Sequence, residues 1–260
     1  MKKTILTFII ILMFTAIFAF DALWQKAQNL SDNNPNFQPG KTTMSVITTS
    51  PDLPDSTFMQ NTTIFIQYVG EDGKLATEII SQEMFVNVEG EDIDVDLFDD
   101  YDETEEISDE EMEALLKEEG VDSSSRGFEA GFSMEESKIL SERNPRNITV
   151  RNLNETKEIN GKIAQGYSIR YTPTRRRRDR IEGTFWLDVN NGAPVMSELY
   201  PGMKIPFVKS YFFVGYYTFI EDSNHFYVDR MIGELNMSIL TKKMTMLIDS
   251  IFEEHFIYDN

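Results

Sequence analysis

Phe207 to Ile239 reads FVKSYFFVGYYTFIEDSNHFYVDRMIGELNMSI, and its punctuation decides the fold. The stretch from Phe207 to Ile220 is dense in aromatic and β-branched side chains and ends at Asp222-Ser223-Asn224, a run of turn formers that reverses the chain. His225 to Asp229 returns, after which Met231, Gly233, Leu235, Met237 and Ile239 alternate with Ile232, Glu234, Asn236 and Ser238. A period of two separates these sets onto opposite faces of a strand, one apolar and one mixed. The segment predicts a long antiparallel hairpin with a single greasy side.

The same grammar extends outward in both directions. Downstream, Thr241-Lys242-Lys243 turns into Met244 to Ile251 and then Phe252 to Tyr258. Upstream, Ile148 to Leu153 and Glu158 to Ile159 precede Asn160-Gly161, the strongest short hairpin signal in the chain, and Lys162 to Tyr171 follows. Ile181 to Val189, the turn Asn190-Asn191-Gly192 and Pro194 to Leu199 complete that run. In the N-terminal half, Thr42 to Thr49, Thr57 to Val69, Leu75 to Ile80 and Met84 to Val88 read as strands, with Gly70-Glu71-Asp72-Gly73 between the middle two. Asp21 to Leu30 reads as a short amphipathic helix with Asp21 as N-cap, and Met134 to Leu140 as a second helical stretch.

Consecutive strands with short turns and no βαβ alternation predict a mainly β fold built as an antiparallel meander. About ten strands is the width at which an open sheet curls, so the expectation is a curved antiparallel sheet or unclosed β-barrel, with helices covering its concave face. The chain carries 19 Phe, 10 Tyr and 13 Met, which suits a concave surface lined for an apolar ligand and suits an ordinary core equally well.

Composition narrows the classes of function. With 260 residues, 41% hydrophobic and 26% charged, the chain is long enough for one large domain. Its formal charge of −20 argues against nucleic acid as a partner. That charge is concentrated: Glu89 to Glu119 holds 17 acidic residues and one basic, Lys117, or −16, whereas Gly120 to Asn260 holds 19 acidic and 18 basic. Such a run self-repels, so residues 89–126 read as an acidic, partly disordered insertion in a single domain spanning residues 21–260. Within it Ser108-Asp109-Glu110-Glu111 matches a capping box, and Met112, Leu115 and Leu116 give one apolar stripe. Asp92, Asp94, Asp96, Asp100 and Glu103 have calcium-loop spacing, but Leu97 stands where the loop needs glycine, and no metal site is expected.

Lys2 and Lys3 followed by the uncharged stretch Thr4 to Phe20 have the order of a secretory signal, with cleavage near Ala19. An uncleaved anchor is the rival reading, since that stretch sits at the short end of membrane-spanning lengths. The expectation for residues 1–20 is a signal peptide, which places the mature chain in the periplasm or cell envelope. The absence of cysteine excludes disulfides, thiol nucleophiles and Cys-based metal sites.

Arg175, Arg176, Arg177, Arg178 and Arg180 form the one basic cluster, either candidate contacts for an anionic head group or a solvated hairpin tip that deters edge-to-edge pairing. No nucleophile-elbow, zincin, Walker or dinucleotide-binding motif occurs. His225 and His255 lie beside aromatics in strand-like segments and read as structural. No catalytic residue and no cofactor is expected.

Glu182 to Val195, EGTFWLDVNNGAPV, resembles the outer-membrane lipoprotein-sorting family, the LolA-like group, in which a strand ending Trp-Leu-Asp, a glycine turn and a Pro-Val strand form a recurring hairpin. The resemblance implies an unclosed antiparallel barrel whose hydrophobic cavity shields acyl chains in transit across the periplasm. Lipid or lipoprotein acyl chains are then the expected ligand, with a membrane-associated partner as a further expectation. The acidic insertion and the arginine cluster depart from the carrier pattern, and no binding residue is transferred. The functional expectation is an exported, non-enzymatic binding protein for an apolar or acylated ligand. The alternative is an envelope interaction or regulatory module that grips a basic partner through its acidic insertion.

Overall fold

A computed structural model describes residues 21–51, 57–70, 73–88, 91–95, 138–172, 180–202, 207–239 and 242–258. Helix α1 (Ala22–Asp32) is followed by β1 (Phe37–Gln38), β2 (Lys41–Thr49), β3 (Phe58–Val69), β4 (Leu75–Val88) and β5 (Glu91–Val95). Then come β6 (Ile148–Ile159), β7 (Lys162–Tyr171), β8 (Ile181–Asp188), β9 (Pro194–Pro201), β10 (Val208–Ile220), β11 (His225–Ile239), β12 (Lys242–Glu253) and β13 (Phe256–Ile257). Eleven of these form one antiparallel sheet in the order β5-β4-β3-β2-β12-β11-β10-β9-β8-β7-β6, while β1 and β13 pair separately. The edges β5 and β6 do not meet, so the sheet is open and not a closed barrel.

The order contains two meanders. β2 to β5 is one and β6 to β12 the other, and they are sewn together by β2 against β12, from Thr49↔Thr245 to Lys41↔Glu253. Three strands are longer than their sequence signals suggest. β4 runs unbroken through Ser81, Gln82 and Glu83 because β3 supplies ladder partners that local propensity does not register. β6 instead passes through a bulge after Asn152, with Asn154 at positive φ, and resumes pairing with β7 at Thr156. Met244 to Ile251 extends through Glu253, whereas Phe256 and Ile257 leave the main sheet to pair with β1. At the other end of the acidic run, Glu91 to Val95 forms edge strand β5 against β4, so the first residues of that segment pair in the sheet. The rest of it, including Ser108 to Leu116, lies outside the described residues.

α1 is placed as its sequence directs. The Asp21 carboxylate accepts a hydrogen bond from the Leu23 amide at 3.0 Å, the N-cap bond, and Trp24, Ala27, Gln28 and Ser31 form the buried face. Trp24 packs against Tyr167 at 5.5 Å and edge-on to Phe185 at 6.2 Å. The helix crosses the strands rather than following them. Asp21 accepts a hydrogen bond from Asn152 on β6, and past the other end Asn34 exchanges two 2.8 Å bonds with the Phe226 backbone on β11. From β6 to β11 is about 24 Å on a flat sheet, at about 4.8 Å per strand. Helical rise from residue 21 to 34 covers only about 20 Å. The side chains at both ends bridge the remainder, and residues from β6 to β11 gather around α1 in one hydrophobic cluster, as expected of a sheet wide enough to curl with its helix side concave.

The second helical stretch survives as residues 138–141; residues 134–137 lie outside the described set. Ile139 and Leu140 are fully buried beside Trp24, and Ser31 meets Ser141 at 3.2 Å. Glu142 fastens the following turn, its carboxylate accepting from the Asn144 amide at 2.7 Å and the Asn147 side chain at 2.8 Å. Those bonds hold its pKa below the usual carboxylate range.

Candidate functional site

Register determines what faces α1. On the concave side the β6 to β9 half is filled by Ile148, Tyr167, Ile169, Tyr171, Phe185, Leu187 and Leu199 under Trp24 and Ala27. The opposite side of that half carries its own smaller cluster around Trp186, Ala164 and Met196, with the Lys157 ammonium 3.9 Å above the indole.

Farther along the concave face the cover changes. Phe213 pairs with both Leu199 and Gly233, Gly233 with Ile248, and Ile248 with Val46, so these residues continue the helix-facing side across β10, β11, β12 and β2. Next to them Tyr211, Leu235 and Met246 form a parallel row, and Met231, Ser250 and Met44 another. Tyr211, Phe213, Leu235 and Ile248 are buried, while Met44, Val46, Val208, Met231, Met237 and Met246 are half-buried around them. Among the described residues no helical residue joins this cluster; the C-terminal end of α1 reaches only the lower ends of β10 and β11, at Tyr217 and Phe226. The Phe213 ring lies flat on Gly233, where a β-carbon would come within 2.8 Å of it, so glycine here is what lets the aromatic cover the strand. Burial pushes the Tyr211 phenol up to about 12, the mark of an apolar setting.

This methionine-lined surface runs into a cavity of about 370 Å³ between the C-terminal end of α1 and the lower ends of β10 to β12. Phe37, Tyr217, Phe226, Val228 and Phe252 supply its apolar wall. Its polar groups face one another. Asn34 is held by Phe226, the Asn36 carboxamide spans the Tyr258 carbonyl at 3.2 Å and the Gln38 amide at 2.8 Å, and Ser31 meets Ser141. His255 Nε2 donates to the Val228 carbonyl at 3.0 Å while its ring stacks on Tyr227 at 3.9 Å. Burial lowers the His255 pKa, opposed by the Val228 bond and the Asp229 charge. Lys138, which is not without a partner of its own, also lines the cavity beside this aromatic wall.

The far end of the groove differs in character. Lys242 shares the face of Met244, Met246 and Ile248 by strict alternation along β12, and Lys209 sits in the β10 bulge beside Val208. Lys243 follows on the opposite face of β12. All three are exposed and, among the described residues, make no side-chain ion pair.

Of the arginines singled out from sequence, Arg175 to Arg178 lie outside the described residues. Arg180 is placed, and its Nε sits 3.2 Å from a Glu182 carboxylate oxygen that also binds Arg170 at 2.9 Å. It is thus an exposed ion-pair member at the start of β8 and faces away from the methionine groove. His225 stacks edge-on against Phe37 at 5.9 Å, a structural contact. Among the described residues no group of three His, Asp or Glu side chains converges as a metal site, and no helix is long and apolar enough to cross a membrane. Sequence reasoning missed the groove methionines as site residues, although the alternation of Met231, Leu235 and Met237 had marked one of their strands as apolar.

No family model and no curated protein sequence matches the chain. Solved structures do. A LolA superfamily protein from Nitrosomonas europaea is 11% identical over 92% of this chain and 93% of its own, with a TM-score of 0.31. A putative outer membrane lipoprotein-sorting protein domain from Vibrio parahaemolyticus is 12% identical over 90% and 91%, with a TM-score of 0.35. A DUF1329 family protein from Desulfovibrio piger is 9% identical over 91% and 92%, with a TM-score of 0.34.

Proposed function

We propose that this is an exported, non-enzymatic binding protein that holds a long apolar chain, of the acyl type carried by lipids and lipoproteins, on the concave face of its sheet. One observation supports this reading above others: beyond the α1 cluster, that face is lined by Met44, Met231, Met237 and Met246 around a floor of Phe213, Leu235 and Ile248. Methionine is flexible and polarisable, so it conforms to a chain that has many conformers of its own. Along β12, Met244 to Ser250 covers about 20 Å at about 3.3 Å per residue, the reach of an extended long acyl chain. The aromatic cavity beyond accepts the chain's end. Export rests on Lys2, Lys3 and the apolar stretch Thr4 to Phe20, and is checked by N-terminal sequencing of the protein recovered from the cell envelope.

Titration with a fluorescent dansyl-labelled fatty acid tests the binding. Saturable binding is expected, with unlabelled competitors gaining about fourfold in affinity per methylene, the equivalent of about 0.8 kcal/mol per buried CH₂. Met246→Glu places a charge in the middle of the groove and should weaken the probe at least tenfold, on the order of the desolvation cost of a buried polar group. A wild-type protein that never saturates, or a natively folded Met246→Glu variant that binds as well as wild type, removes this function.

A further inference from the structure

The two ends of the groove are chemically unequal, and that inequality fixes which way a ligand lies. At the cavity end Asn34, Asn36, Ser31, Ser141 and His255 are bonded to neighbouring protein groups. Of the nearby acids, Glu253 pairs with Lys41 at 3.0 Å, while Asp229 accepts from Thr218 at 2.7 Å through one oxygen and keeps the other buried without a hydrogen bond. Lys138 also lines the cavity and is not without a partner, so an ionised head group placed there would lose its water and have to displace an existing contact. At the other end Lys242 stands on the groove face of β12 and Lys209 lies in the β10 bulge two strands over, both exposed and free of ion pairs among the described residues. Lysine stems lie along apolar surface while the ammonium stays in water, so both side chains are suited to line a greasy groove and hold a charge at its rim.

Resting on the acyl-binding reading above, we infer that the ligand is an anionic amphiphile, a long chain ending in a carboxylate or phosphate. Its head lies at Lys242 and Lys209 and its tail points toward Phe226 and Phe252. The net negative charge of the whole chain does not oppose this. The −16 of Glu89 to Glu119 is one segment, and the head group meets the local field of the lysine rim.

The test holds the tail constant and changes the head. Palmitate, hexadecyl phosphate, hexadecanol and hexadecyltrimethylammonium compete, below their micelle-forming concentrations, against the dansyl fatty acid on the full-length protein. Both anions should compete at least tenfold better than hexadecanol, and the cation worst. Inorganic phosphate alone should not compete, which separates an amphiphile site from a free-phosphate site. Lys242→Glu and Lys209→Glu should each weaken the anions several-fold and leave hexadecanol unchanged. Lys243→Glu, the same charge change on the opposite face of β12, should have a clearly smaller effect. Equal affinity for all four head groups, or equal losses from Lys242→Glu and Lys243→Glu, overturns the anionic-head inference while the acyl-binding reading stands. If none of the four competes and the probe does not bind, the acyl-binding reading itself has failed.

Discussion

Asp21 shows how much one side chain can organise. Burial works against its ionised form, but hydrogen bonds from Asn152 and the Leu23 amide, with the Tyr167 hydroxyl and the Trp24 amide nearby, outweigh it, and its pKa falls below the usual carboxylate range. Asp21→Ala removes the helix cap and the tie to β6 together and should cost about 1–2 kcal/mol in urea unfolding at pH 7. Because the folded-state pKa is lowered, this stabilisation is complete above the unfolded value of about 3.9 and disappears as pH falls through the folded one. The gap between wild type and Asp21→Ala should therefore narrow in melts run at successively lower pH below about 3.9. His255 behaves alike in a higher window. Its lowered pKa means that the unfolded chain takes up the proton first, so stability declines as pH falls below about 6.5. His255→Gln should flatten that part of the stability profile between pH 7 and 5.

At the scale of elements, turns and close contacts fix the geometry. Gly192 ends the β8 to β9 turn with φ of +83°, and a β-carbon there would sit 2.7 Å from Lys26 Cβ on α1. Gly192→Ala combines left-handed strain with a push on the helix, and should lower stability by at least about 1–2 kcal/mol in thermal or urea unfolding. Asn160 and Gly161, both at positive φ, make the type I′ hairpin that their sequence announces, and Lys162 pairs with Ile159 as that turn requires. Helix α1, its cap and nearly all the hairpins were legible because caps, turn residues and period-two alternation are local signals. The lengths of β4 and β6 were not, since Ser81 to Glu83 become strand through the ladder with β3, and β6 resumes pairing at Thr156 only because β7 continues beside it past the bulge.

For the molecule as a whole, the seam between β2 and β12 is the decisive contact, because it joins strands separated by most of the chain. Ile248 lies on that seam opposite Val46 and packs in the Tyr211, Phe213 and Leu235 cluster. Ile248→Ala should cost about 2–5 kcal/mol, with one cooperative unfolding transition retained when followed by both far-UV circular dichroism and tryptophan fluorescence. Two resolved transitions would mean that the two meanders fold as separate units. The groove belongs to this scale as well: its floor comes from β10, β11, β12 and β2, and it exists only once the seam has closed.

The sequence by itself determined that the chain is mainly β and antiparallel, that a helix capped by Asp21 follows the apolar N-terminal stretch, and that its acidity is gathered between Glu89 and Glu119. These properties are written in neighbours two to four residues apart or in simple composition. Only the tertiary structure decided that β2 meets β12, that α1 crosses and covers one half of the curled sheet, and that Met44, Met231 and Met246 come together on the other half. The same folding pairs Arg180 with Glu182 and brings Lys242 to the end of the methionine groove. Alternation along a strand says which side chains share a face. It takes the long-range order of strands to say what that face will meet.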